Sequence, residues 1–122
     1  MSNLARNKQA VMEQAIKEGF EVIRGDPYTL LLDLDGGTQI NEEIFTILQA
    51  EVPGTVISDT WLSKDGIGKH VVIRLPIPIS SSQRFALHAC LGSDAKREAL
   101  GVLYEIQPSM LFKPKLPVKG GV

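Results

Sequence analysis

Two aspartates, Asp33 and Asp35, lie one residue apart at the end of the apolar run LLLDLD, residues 30–35. Side chains alternate along a strand, so both carboxylates are predicted to share one face. Two carboxylates this close repel each other unless a cation, a proton or a basic group relieves them, and a divalent metal ion with oxygen ligands does so. The pattern predicts a metal-binding pair; the alternative is a strand that ends in solvent.

A second group of polar residues lies in the segment SKDGIGKHVVIRL, residues 63–75. On a strand, His70 and Arg74 share one face, while Val71 and Ile73 lie on the opposite, core-like face. If the aspartates occupy the same face, the sheet displays two acids, an imidazole and a guanidinium. A nucleoside triphosphate with its metal ion needs this mixture, because carboxylates hold the cation and the other groups donate to phosphate oxygens.

The loop before His70 is rich in glycine and in donors. Gly66 and Gly68 allow backbone N–H groups to approach a phosphate closely. The predicted nucleotide-binding residues are Ser63, Lys64, Gly66, Gly68, Lys69, His70 and Arg74. The alternatives are an ordinary hairpin turn and a structural histidine.

The elements that must position these residues follow from periodicity, caps and turn residues. The predicted order is helix 3–18, strands 20–24 and 29–35, helix 42–51, strands 55–63 and 69–77, helices 80–91 and 95–106, and a short strand 109–114. The first two strands and the next two are predicted as hairpins. The order indicates an α+β fold with a mainly antiparallel sheet, helices on one face and an RRM-like or ferredoxin-like core. The other face is expected to be open for a site. Residues 1–112 are predicted as one domain and 113–122 as a loose basic tail.

Composition excludes several classes of protein. The chain has 122 residues with 13 basic and 14 acidic side chains, so no global field draws it to nucleic acid or to an anionic membrane. Its apolar stretches are shorter than the roughly 18 residues of a spanning helix, so no membrane partner is expected. Cys90 is the only cysteine, and the first residues lack an apolar signal core, so a cytoplasmic location is expected.

The order of the motifs resembles the catalytic core of archaeo-eukaryotic primases, including the primase-polymerases of phages and plasmids. LLLDLD is followed by the helical segment NEEIFTILQ and then by WLSKDGIGKHVVIRL, and the resemblance covers about residues 28–75. It implies nucleotidyl transfer in DNA replication with Mg²⁺ or Mn²⁺ as the cofactor. By the same resemblance, Asp33 and Asp35 are metal ligands, while Ser63, Lys64 and His70 contact the nucleotide phosphates.

Such primases carry a third carboxylate on a later strand, where this chain has SMLFKP. Asp94 follows in order and is the candidate third metal ligand, although its place between two helices also predicts a helix N-cap. The expected partners are a nucleotide and either single-stranded nucleic acid or a replication protein. The alternative from another class is a non-catalytic nucleic-acid-binding or adaptor module of the same fold.

The stretch LLLDLDGGT, residues 30–38, also resembles the opening motif of haloacid dehalogenase phosphatases. This resemblance implies a nucleophile at Asp33, a general acid at Asp35, a doubly wound parallel sheet and a later acidic pair for magnesium. The sequence has no adjacent acid pair downstream, and Gly37 occupies the position where threonine is usual. A phosphatase therefore ranks third.

Overall fold

The computed structural model describes residues 3–63, 66–104 and 110–115. The elements are α1 (Asn3–Lys17), β1 (Phe20–Arg24), β2 (Thr29–Leu34), α2 (Glu42–Glu51), β3 (Val56–Leu62), β4 (Lys69–Arg74), α3 (Ser81–Leu91), α4 (Ala95–Tyr104) and β5 (Met110–Pro114). This confirms the predicted order of helices and strands.

The strands form two antiparallel sheets, one with the order β2-β4-β3 and one pairing β1 with β5. The predicted β3–β4 hairpin is confirmed. The predicted hairpin of β1 and β2 is wrong. β1 pairs instead with β5, the last strand along the described chain. Leu30, Leu31 and Leu32 of β2 are all fully buried, so this strand needs cover on both faces, which a two-stranded hairpin does not supply.

Two apolar layers cover the three-stranded sheet. On one face Leu30, Leu32 and Ile73 pack with Leu48 of α2 and Leu91 of α3. On the other face, Leu31 and Val72 pack with Leu111 of β5, and Ile23 and Trp61 lie against this cluster. The fold is α+β and compatible with a ferredoxin-like arrangement, but the second face is covered by the β1–β5 ribbon rather than open as expected.

The helices owe their ends to local sequence. Asn41 caps α2 by accepting from the Ile44 N–H, and Ser80 forms a capping box with Gln83 at the start of α3. Gly92 ends α3 in the left-handed region, with φ of +106°. In the part of the chain that is described, no helix combines the length and the apolar character needed to cross a membrane.

The predicted basic tail begins inside β5. Lys113 and Pro114 pair with Glu21 and Phe20 of β1, and the Lys115 N–H donates to the carbonyl of Gly19 at 3.1 Å. The rest of that predicted tail, residues 116–122, lies outside the described residues.

Candidate functional site

The ladder between β2 and β4 places Asp33 directly opposite His70. Oδ1 of Asp33 lies 3.3 Å from Nε2 of His70, and the two side chains are 30% and 15% exposed respectively. These residues come from the two sequence motifs singled out above. The structure thus brings an acid and an imidazole together, and we call them the Asp33–His70 pair.

His70 is held in one orientation by its surroundings. The Trp61 ring meets the imidazole edge-on, with centroids 5.4 Å apart and planes at 84°. Nδ1 of His70 is buried and has no hydrogen-bond partner among the described residues. A buried N–H without an acceptor is costly, so the proton of the neutral ring belongs on Nε2, where it faces the Asp33 carboxylate.

The backbone of Asp33 is fixed by the linker between α3 and α4. Its N–H donates to Oγ of Ser93 at 3.0 Å, and its carbonyl accepts from the N–H of Asp94 at 2.8 Å. Both bonds leave the outer edge of β2, away from β4. The Asp33 carboxylate therefore projects from a rigid strand.

The same edge of β2 is closed at Leu31 by side chains of the last two helices. The Leu31 N–H donates to Nε2 of His88 at 3.1 Å, and the Leu31 carbonyl accepts from Arg97 at 3.0 Å. Arg97 also donates to the carbonyl of Met110 in β5 at 3.3 Å. The Arg97 guanidinium thus links β2 and β5, which backbone hydrogen bonds would join in a continuous sheet.

Behind this edge lies a buried polar network that the sequence analysis does not single out. Nδ1 of His88 lies 2.8 Å from Oε1 of Glu98, whose Oε2 accepts from Ser93 at 2.8 Å and also from Arg97. The available signal was the spacing of Phe85, His88 and Leu91, which puts the histidine on the buried stripe of α3.

Burial sets the charges of this network. It lowers the pKa of His88 below its usual value of 6.5, against the opposing hydrogen bond to Glu98. Burial alone would raise the pKa of Glu98, but the hydrogen bond with His88 and the charge of Arg97 outweigh it and lower that pKa. The network is therefore a neutral imidazole beside a carboxylate–guanidinium pair.

The other predicted metal ligands lie outside the strand. Asp35 follows β2 and begins a turn closed by the Thr38 N–H on its carbonyl at 3.0 Å. Gly36 and Gly37 have φ of +57° and +82°, a backbone that disfavours the threonine of the phosphatase motif. Oδ1 of Asp94 accepts from the N–H of Lys96 at 3.2 Å, so its side chain acts as the N-cap of α4.

The glycine-rich loop makes a tight hairpin turn. The Ser63 N–H donates to the Gly68 carbonyl at 2.8 Å, and the Gly66 N–H donates to the Ser63 carbonyl at 2.9 Å. A Cβ on Gly68 would lie 2.7 Å from Oγ of Ser63 and 3.1 Å from the Leu34 carbonyl. Ser63, Gly68 and Lys69 therefore lie beside the end of β2. Lys64 lies outside the described residues.

Arg74 is not part of this cluster. It pairs with Thr29 at the far end of β2, four residues from His70 or roughly 13 Å along the strand. Buried Val72 lies between them on the same face. The predicted gathering of Arg74 with the two aspartates does not occur.

Within residues 3–63, 66–104 and 110–115, no three His, Cys, Asp or Glu residues are placed to hold one ion. The sheets contain antiparallel pairs, not the parallel order that the phosphatase resemblance implies. That resemblance is a local one.

The fold and the site define an α+β protein with an acid–imidazole pair at the end of an antiparallel sheet. Comparison of the chain with family models, with curated proteins and with solved structures gives no match. The functional conclusion therefore depends on the site and on the order of the elements that position it.

Proposed function

We propose that the chain binds a nucleoside triphosphate with Mg²⁺ or Mn²⁺ beside the Asp33–His70 pair and acts as a primase-polymerase-like nucleotidyltransferase. The supporting observation is the register of β2 and β4, which makes Asp33 and His70 direct neighbours. The order of elements from β2 through α2 to the β3–β4 hairpin also agrees with the primase resemblance. A role in cytoplasmic DNA replication is part of the proposal.

The donor set suits a cation that arrives with its nucleotide. Mg²⁺ is usually held by one or two carboxylates together with phosphate oxygens and water, rather than by a cage of protein ligands. Asp33 and the exposed Asp35 supply such carboxylates at the end of β2. When bound, the ion would supply positive charge that stabilises the reacting phosphate.

The remaining groups would bind the phosphates. In the absence of nucleotide the Nε2–H of His70 faces Asp33; it would donate to a phosphate oxygen when that carboxylate turns to the cation. Lys69 is opposite Leu34 in the ladder and adds positive charge nearby. Ser63 would add a hydroxyl donor. Arg74 has no part in this site because of its distance.

A non-catalytic nucleic-acid-binding or adaptor module is the second candidate. It is favoured by Asp94, the candidate third carboxylate, whose side chain caps α4. A protein that keeps these paired strands but lacks a third metal ligand would bind a nucleotide or a single strand without catalysing nucleotidyl transfer.

The test is Mn²⁺-dependent incorporation of labelled nucleotide on a single-stranded template. Asp33→Asn should lower incorporation by about 100-fold or more, because it removes a carboxylate that would hold the cation at the reacting phosphate. The variant should still fold, since both backbone bonds of Asp33 remain. Glu51→Gln, on the exposed end of α2, is the matched control and should leave the rate unchanged.

The outcomes separate the candidates. Template-dependent incorporation that Asp33→Asn removes supports the transferase. Binding of nucleotide or single strand without incorporation on any template supports the adaptor. A chain that neither incorporates nor binds nucleotide rules out the proposed transferase.

A further inference from the structure

A cavity of about 300 Å³ lies on the side of the molecule where α1, the β1–β5 ribbon and the end of the β3–β4 hairpin meet. Its walls are mainly apolar. The residues that line it include Val11 and Ala15 of α1, Phe20, Phe112, Leu62 and His70. The volume is at the small end of ligand sites, which span roughly 300–1,000 Å³, so the occupant is a small molecule of one or two rings.

The lining favours an aromatic occupant. Phe20 pairs with Pro114 and Val22 with Phe112, so the two phenyl rings lie on the same face of the ribbon as diagonal neighbours. The imidazole of His70 adds a third ring. Aromatic rings in offset or edge-on contact attract each other beyond the area that they bury, which an aliphatic ligand does not gain.

The walls of the cavity disfavour an anion. No lysine or arginine is among the described residues that line it. A phosphate or carboxylate would lose its hydration against mainly apolar walls without gaining a positively charged partner from that lining.

We propose that this cavity is a binding site for a flat, uncharged aromatic molecule of one or two rings. The site is distinct from the proposed nucleotide site, since its apolar walls disfavour phosphates, but the His70 ring belongs to both. A ligand in the cavity would contact the His70 ring, whose Nε2 faces Asp33. Ligand binding in the cavity would therefore change the environment of the Asp33–His70 pair.

The test is a titration followed by two-dimensional NMR of the full chain, with indole as the neutral probe. Indole-3-acetate is the anionic analogue. Indole should shift the signals of the lining residues saturably, with a Kd of about 1 mM or tighter. Indole-3-acetate should bind at least about five-fold more weakly than indole, because its carboxylate would lose hydration against the apolar walls.

Leu62→Trp is the variant that tests the location. Leu62 is 61% exposed, so a larger side chain there is compatible with folding and fills the cavity from its solvent side. It should weaken indole binding by at least about ten-fold, in line with the loss of an apolar pocket. Ile67→Trp is the control: Ile67 is 65% exposed in the same hairpin and does not line the cavity.

Any of three results would overturn the inference. The first is that indole causes no saturable shift of the NMR signals, and the second is that Leu62→Trp binds indole as tightly as the wild type does. The third is that the cavity binds the aliphatic probe 1-hexanol but not indole. The proposed nucleotidyl transfer is tested separately by Asp33→Asn. Indole binding without incorporation leaves the cavity inference intact, and incorporation without indole binding removes it.

Discussion

His88 and Glu98 are the residues whose charges the fold controls most strongly. His88 is fully buried, and its Nε2 accepts the Leu31 N–H that would otherwise be unpaired at the edge of β2. A proton on Nε2 removes this acceptor. Since burial lowers the pKa of His88 below 6.5, the unfolded chain binds a proton that the folded chain does not, and stability must fall as the pH drops below 6.5.

The predicted loss is at most about 1.4 kcal/mol per pH unit for this group. Below pH 4.5 the lowered pKa of Glu98 adds a further loss, because its folded form stays ionised while the unfolded chain takes up a proton. Urea denaturation from pH 8 to pH 5 measures the first effect. His88→Gln should flatten the dependence of stability on pH across that range. A steep profile that persists in His88→Gln would contradict the assignment.

At the residue scale, alternation along the strands singled out Asp33 and His70, and the register of β2 and β4 places them opposite each other. Their roles as a metal ligand and a phosphate contact stay predictions. Asp35 lies one residue beyond the end of β2, where a turn through Gly36 and Gly37 begins, so alternation along the strand does not fix the direction of its side chain. Arg97 donates to carbonyls of both β2 and β5, and these contacts depend on a fold that no local sequence pattern specifies.

At the element scale, the short linker between α3 and α4 hydrogen-bonds to the edge of β2 through Ser93 and Asp94. Gly92 has φ of +106°, and a Cβ there would lie 3.3 Å from the carbonyl of Gln39. Gly19 has φ of +90° and nothing within 4 Å. Gly19→Ala should therefore cost about 1 kcal/mol for backbone strain alone, and Gly92→Ala should cost more, since crowding adds to the same strain. Chemical denaturation compares them, and equal costs would show that the Gln39 contact gives way freely.

Element order and strand pairing were predictable to different degrees. Helices and strands follow from periodicity, caps such as Asn41 and stops such as Gly92, all of which are local. Pairing is a tertiary choice, and β1 lies beside β5 although β2 is its neighbour in sequence. The β2 edge that β5 would occupy in a continuous sheet is taken by bonds from His88, Ser93 and Arg97. No local signal in β1 indicates that outcome.

At the scale of the whole molecule, the β1–β5 ribbon closes the second face of the three-stranded sheet. Leu111 is 3% exposed and packs on Leu31 and Val72. Beside it, the indole N–H of Trp61 donates to the Phe112 carbonyl at 3.0 Å. Lys113 pairs with Asp59 of β3, which with Glu21 raises the pKa of that lysine. Apolar contact at Leu111 is the larger contribution, because an exposed ion pair is worth little.

Leu111→Ala should therefore lower the free energy of unfolding by about 3 kcal/mol, the usual cost of emptying a buried leucine site. Trp61, the only tryptophan, should report the change by emission at longer wavelength, because the loosened ribbon admits water to its ring. Leu103→Ala, at a position 74% exposed on α4, is the control and should stay within about 0.5 kcal/mol. If Leu111→Ala left both stability and Trp61 emission unchanged, the ribbon would not be an integral cover of the sheet.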